Sequence, residues 1–341
     1  MSPVPAPAPP LPRLRFGIYP WGAPGAVGQV APQLADDPAQ AMSAVRALAG
    51  ARSMTVHLYG QYTGADPSEA DALVSDAQWW SDAGIQVEMV LRYRPAAPAL
   101  AAGYVPWVRA VAARLAAIPG VSAIQIGNEA NNTGSAAAGD GAYPGALAAL
   151  AQGVPAAREA VVAAGRPDIR IGFNWAAGET PCRLDPFFAE LARAGGSAFA
   201  DSVGWVGIDV YPGTWSPPAP SAAPAAVLIR QSVTSALGCL RTVQMPSAGL
   251  GGAVTITVTE TGYPTDAARS EATQAAVLGE IVDAVRGVAA RDGVTDLRWF
   301  GLRDANSASG QLENGYGLLH DDYSPKPAFA AFQGLIAADG A

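Results

Sequence analysis

Two glutamates stand where they can do chemistry. Glu129 follows the short apolar run 121–126 within Gly127-Asn128-Glu129, and Glu260 ends the β-branched run 254–259. A lone carboxylate at the end of an apolar strand is costly to bury unless it has a task or a partner. Two strands that each deliver one glutamate from the C-terminal end are what glycoside hydrolysis with retention needs. One ionised carboxylate attacks the anomeric carbon; the other carboxyl protonates the leaving oxygen and then acts as base toward water, the pair about 5–5.5 Å apart. We therefore expect Glu260 as nucleophile and Glu129 as acid/base. Asn128, beside the acid, is expected to hydrogen-bond a ring hydroxyl of a sugar. Tyr211 ends another apolar run, and its hydroxyl is expected to bond Glu260 and favour its ionised form. His57 is expected to line the site as a hydrogen-bonder rather than as a catalyst. Asp209 and Asp304 rank below the glutamates, each either supporting a neighbour or lining a subsite. Aromatic residues gather near the same strand ends, among them Trp21, Tyr59, Trp175, Trp215 and Trp299. Flat sugar faces stack on such rings, so the set suggests several subsites and cleavage inside a polymer.

The elements that must position these residues follow from the hydrophobic pattern. Strands are expected over 14–19, 53–59, 85–93, 121–127, 169–175, 203–211, 254–260 and 296–302. Helices are expected over 37–49, 66–83, 107–117, 144–164, 185–193, 224–243, 268–290 and 325–337, several opened by Asp-Pro or Pro. Strand and helix alternate about eight times, with the longer loops after the strands. That alternation implies parallel strands and right-handed crossovers. Eight repeats in 341 residues imply a single closed (β/α)8 barrel. Strands four and seven then face one another across the mouth, which brings Glu129 opposite Glu260. An open doubly wound sheet is the alternative fold, but no strand runs into a G-x-G-x-x-G turn. Trp79, Trp80 and Trp107 fall on helices and are expected to pack against the barrel.

The motifs also carry a family resemblance. GNEA at 127–130 resembles the acid/base motif of the clan A glycoside hydrolases, whose fold is a (β/α)8 barrel, and TVTETGYP at 257–264 resembles their nucleophile motif. DVYPG at 209–213 is similar to the clan's tyrosine at the end of strand six. RWFGLRD at 298–304 is similar to its strand-eight segment and offers Trp299, and residues 314–332 resemble its closing segment. Families 5 and 39 are the nearest in pattern. The resemblance implies a retaining β-glycosidase with a carbohydrate substrate and no cofactor or metal. Many clan members carry an arginine at the end of strand two. This chain has His57, Tyr59 and Gln61 there, and Arg92 or Arg94 on strand three is the expected substitute.

Composition narrows the partners. The formal net charge is −8 with basic residues scattered, which argues against nucleic acid or an anionic membrane. No apolar run reaches the roughly 18 residues of a membrane span. Cys182 and Cys239 fit no zinc spacing. Their pairing stays open, because Cys182 is expected near the top of the barrel and Cys239 near the end of a descending helix. Residues 1–13, rich in Pro and Ala, read as an extended leader ahead of a catalytic domain over 14–341. We expect a secreted or extracytoplasmic monomer whose signal peptide is absent from this chain. A catalytically silent carbohydrate-binding barrel is one rival reading. A transglycosylase using the same residues is another.

Overall fold

A computed structural model describes residues 13–22, 33–66, 68–178, 180–214 and 222–339. Most of the Pro/Ala leader, Trp215 and the middle of the Pro-rich loop after strand six lie outside the described residues. Eight parallel strands close in chain order into one barrel: β1 (Arg15–Ile18), β2 (Thr55–Tyr62), β3 (Gln86–Tyr93), β4 (Val121–Ile126), β5 (Arg170–Ala176), β6 (Trp205–Asp209), β7 (Thr255–Thr261) and β8 (Val294–Trp299). The open sheet is thereby excluded.

The helices are α1 (Pro38–Ala49), α2 (Glu69–Asp82), α3 (Tyr104–Ala116), α4 (Ala146–Ala163), α5 (Pro186–Ser202), α6 (Ala222–Cys239), the one-turn α7 (Met245–Ser247), α8 (Glu271–Asp292) and α9 (Pro327–Ala338). Local chemistry sets their ends. The Asp37 carboxylate accepts from the N–H groups of Ala39 and Gln40, with Pro38 in the first turn. Ser270 caps α8 through the Thr273 N–H, and Gly293 ends that helix at φ 71°. α5 runs nine residues past its expected end, but Gly196, at φ 58°, interrupts it close to that point.

Strand parity divides the side chains into two sets. Val56, Leu58, Met89, Leu91, Ile124, Phe173 and Leu297 join the apolar core beneath the helices. Alternate residues face the barrel axis and are largely polar. His57 bonds Glu88, Glu88 bonds Arg298, and Arg298 bonds Asp296. Higher up, Asn174 and Thr259 both bond Asp209. α9 closes the fold: Phe332 packs edge-on to Phe16 at 5.6 Å, and Asp339 accepts from the Leu14 N–H and from Arg286.

Cys182 and Cys239 form a disulfide, with Cα atoms 4.9 Å apart. Cys182 lies in the loop between β5 and α5. The segment around it is bonded to Gln244, whose side-chain N–H groups reach the carbonyls of Pro181 and Arg183. The helix carrying Cys239 also continues, through a π-helical turn over Leu240–Gln244 into α7.

Gly172 lies opposite Trp205 across β5 and β6, and a Cβ there would overlap the Trp205 ring and carbonyl oxygen. Overpacking of this kind costs about 1–3 kcal/mol. Gly172→Ala should therefore lower the urea midpoint with little change in the slope; an unchanged midpoint would mean that the barrel floor relaxes freely.

Candidate active site

The ends of β4, β6 and β7 bring three carboxyl groups together. One oxygen from each of Glu129, Asp209 and Glu260 lies within 4.8 Å of the other two. Backbone irregularity aims them. The pairing of β7 with both neighbours shifts register near its end, so Ile208 pairs with Val258 but Asp209 with Glu260. A bulge of this kind lets two successive residues serve one face. Thr259 bonds Asp209 inside the barrel, and Glu260 still reaches the mouth. Just past β4, Gly127 sits at φ 69° and Glu129 at φ 46°. Positive φ is unfavourable for a glutamate and persists only where surroundings impose it. Here the Glu129 N–H donates to the Asn174 side chain at 2.8 Å, and its carbonyl accepts from the Asn132 N–H at 2.8 Å. Asn174 is the brace of this corner, since its amide N–H groups also reach Asn128 at 3.0 Å and Asp209 at 2.5 Å.

Two phenols hold Glu260. Tyr59 donates to Oε1 at 2.5 Å and Tyr211 to Oε2 at 2.7 Å. Burial and the charge on Glu260 raise the pKa of both tyrosines well above the phenol range, so they remain donors at any working pH. Glu129 is pushed up to about 7, chiefly by burial and then by the charge on Glu260, against a lowering by Asn132, which donates to its Oε2 at 2.8 Å. Asp209 is raised well above the usual carboxylate range, by burial and then by both glutamates, and it also hydrogen-bonds Glu129. The cluster thus holds one glutamate whose pKa is raised beside another that accepts from two phenols. Three clustered oxygens could in principle take a divalent ion. A neutral Asp209, already accepting from Thr259 and Asn174, makes a poor ligand.

Around the carboxyls stands a wall of rings. Phe300 stacks on Tyr19 at 4.9 Å and meets Tyr316 edge-on at 5.9 Å, and Tyr316 lies 5.6 Å from Tyr211. The barrel as a whole superposes on solved glycoside hydrolase structures. A family 39 glycoside hydrolase from the gut symbiont Bacteroides cellulosilyticus superposes with TM-score 0.60 at 19% identity, covering 96% of this chain and 64% of that one, so this chain spans less than two thirds of its length. GH5_18 from Streptomyces cattleya in complex with GlcNAc gives 0.62 at 17%, covering 97% and 81%. A fungal β-1,4-galactanase gives 0.61 at 14%, covering 94% and 99%. The fold is that of glycoside hydrolase barrels. No family model and no curated protein matches the sequence.

Within this barrel the expected site residues fall into two groups. Glu129, Glu260, Tyr211 and Tyr59 converge at the mouth. His57 sits one step below, with Nε2 2.9 Å from the Tyr59 oxygen. Asn128 is buried, its side-chain oxygen accepting from Asn174 and its amide donating to Ala138, so it braces the corner. Arg92 braces the loop after β4 through Asp140 at 3.1 Å and the Ala138 carbonyl, and Arg94 donates to the Ala137 carbonyl. Trp21 is half-buried against Trp79 and Trp80 of α2 while bordering the Tyr19–Phe300 cleft.

Two expected site residues point elsewhere. Trp175 faces α5, packing on Phe188 and donating its indole N–H to Asp185 at 2.9 Å. Trp299 is fully buried against Phe332 of α9. Parity explains both: Asn174 and Arg298 point inward, so the next residue on each strand must point outward. Phe300, one residue beyond Trp299, takes the place at the mouth. Asp304 pairs with the buried Lys326 at 2.7 Å and anchors the closing segment. Asn174, Asn132 and Glu88 went unrecognised in the sequence; the polar interruptions of otherwise apolar strands at 88 and 174 were the available signal.

Asp209 yields a stability prediction. Its folded-state pKa is raised, so the native chain binds more protons than the unfolded chain above the ordinary carboxyl value of about 4. Stability is then lost progressively as pH rises from there. Asp209→Asn, which mimics the neutral acid, should raise the thermal midpoint at pH 8 over that of the parent, with the advantage shrinking toward pH 4. A variant less stable at pH 8 than at pH 4, relative to the parent, would contradict the buried neutral acid.

Proposed function

We propose that this chain is a retaining β-glycosidase that cleaves within oligosaccharides or polysaccharides. Glu260 is the nucleophile and Glu129 the acid/base. The observation that carries this reading is the pairing of two strand-end carboxyls within 4.8 Å, one pushed up to about 7 and the other held by two phenols. Oxygens this close support double displacement, for which the carboxyl groups stand about 5–5.5 Å apart, over inversion, for which about 6.5–9.5 Å admits water. The fold shared with glycoside hydrolases supports the same class.

In the first step a Glu260 oxygen attacks the anomeric carbon. The bond to the leaving oxygen breaks, and the Glu129 proton moves to that oxygen. Glu129, now ionised, takes a proton from water in the second step as the hydroxide equivalent displaces Glu260 from the sugar. Tyr59 and Tyr211 hold the Glu260 oxygens throughout. The rings of Tyr19, Phe300 and Tyr316 border the carboxyls, an aromatic surround that suits a sugar ring. The disulfide favours an extracytoplasmic setting.

The kinetic test separates the two glutamates. Glu129 must be protonated to donate, so kcat/KM should fall as pH rises through about 7. Glu129→Gln should cost about 10²–10⁴-fold on a substrate with a poor leaving group. It should cost far less on an activated aryl glycoside, where the alkaline limb should vanish. Glu260→Ala should abolish turnover while remaining folded, and azide should restore some rate and give the inverted glycosyl azide. Near-normal activity in Glu260→Ala, or an unchanged alkaline limb in Glu129→Gln, would refute the assignment.

A further inference from the structure

Beneath Tyr59 runs a buried chain that the two-step reaction does not itself use. His57 is 1% exposed, with Nδ1 2.7 Å from Glu88 Oε1 and Nε2 2.9 Å from the Tyr59 oxygen. Glu88 is fully buried, and its second oxygen accepts from Arg298 at 3.0 Å. Arg298 donates onward to Asp296 at 2.8 Å, and Asp296 accepts from Arg15 at 2.6 Å. This is a continuous line from the barrel floor to Glu260.

Proton counting along the line fixes its polarity. A phenol has one proton, and an ionised carboxylate has none to give. If Glu260 is ionised, the Tyr59 proton points to it, so the Tyr59 oxygen is an acceptor toward His57. Nε2 of His57 must then carry a proton. Burial pushes Glu88 up, but Arg298 and His57 outweigh it and hold it at about 2, so Glu88 is a carboxylate and Nδ1 must donate as well.

We propose that His57, held by Glu88, is a positioning residue that carries both ring protons in the resting enzyme, fixing the Tyr59 hydroxyl toward Glu260 and setting a positive charge two hydrogen bonds behind it. No proton needs to move along the line. Its effect is electrostatic: the cation favours the carboxylate before attack, and favours its departure when the glycosyl ester is hydrolysed. The groups facing His57 and Tyr59 are Glu88 and Arg92 from β3, Asp209 from β6, Glu260 from β7, Asp296 and Arg298 from β8, and Tyr19 just past β1. The kinetic part of this inference rests on Glu260 being the nucleophile; the protonation part does not.

The chain contains two histidines, His57 and His320, so the ring signals are simple to assign. In the full chain labelled with ¹⁵N-histidine, two-bond ¹H–¹⁵N spectra at pH 7.5 should show both His57 nitrogens protonated, with His320→Gln used to assign the pair. A neutral tautomer for His57 in the parent protein would overturn the proposal without any variant of the relay. Glu88→Gln should leave one His57 nitrogen unprotonated. With the cation behind the Glu260 carboxyl lost, the acid limb of kcat/KM should move upward by about 1 pH unit. His57→Gln, which keeps a donor to Tyr59 but no charge, should move the limb the same way. Unmoved limbs in both variants would overturn the role. The spectrum is read without substrate, so it stands even if Glu260→Ala keeps turnover and the nucleophile assignment alone fails.

Discussion

Three largely buried carboxyl groups whose oxygens lie within 4.8 Å resist carrying charge together, and the rest of the structure is arranged around that constraint. The protein resolves it by giving the groups unlike partners. Glu260 receives two phenolic donors. Glu129 receives one amide, on a backbone bent to positive φ, and Asp209 is sunk into the barrel with Thr259 and Asn174. One negative charge at the mouth then keeps protons on the other two groups. On the proposed reading, that division of charge is also the division of labour between nucleophile and acid.

The barrel interior follows from the same constraint. A mouth that must hold a charge and two protons in place needs rigid support. Here the support is hydrogen-bonded side chains rather than hydrocarbon: Asn174 ties β4 to β6, and Asp140 gathers Arg92 with the N–H groups of Tyr93 and Asn128. The floor is an ionic cluster of Arg15, Glu88, Asp296 and Arg298. Buried ion pairs of this kind add little net stability, because desolvation offsets the attraction. Breaking one leaves an uncompensated charge, which strongly penalises any other arrangement. Stability comes instead from the outward-facing apolar residues of every strand, packed beneath the helices.

How far the sequence reveals this depends on the kind of signal. The order of strands and helices was legible because β-branched runs alternate with capped helical stretches, and the two glutamates stood out because each ends such a run. What lay beyond was set by parity and by distant pairing. Trp175 and Trp299 look like sugar platforms in a linear reading, yet an inward neighbour turns each toward a helix, and Phe300 fills the mouth. The bulge beside Glu260, which lets Thr259 and Glu260 both serve the interior, leaves no mark in composition. Tyr59 was legible as an aromatic near the site but not as a partner 201 residues from Glu260. Nor could the cysteine pairing be settled before the course of the segment beside Gln244 was known.

The central claim is that Glu260 becomes covalently bonded to the sugar. It is tested most directly by incubating the enzyme with a panel of activated 2-deoxy-2-fluoro β-glycosides and mapping the adduct by peptide mass spectrometry. The account predicts a single glycosyl adduct on the peptide containing Glu260, formed as activity is lost. An adduct on Glu129 instead, or inactivation with no adduct on Glu260, would contradict it.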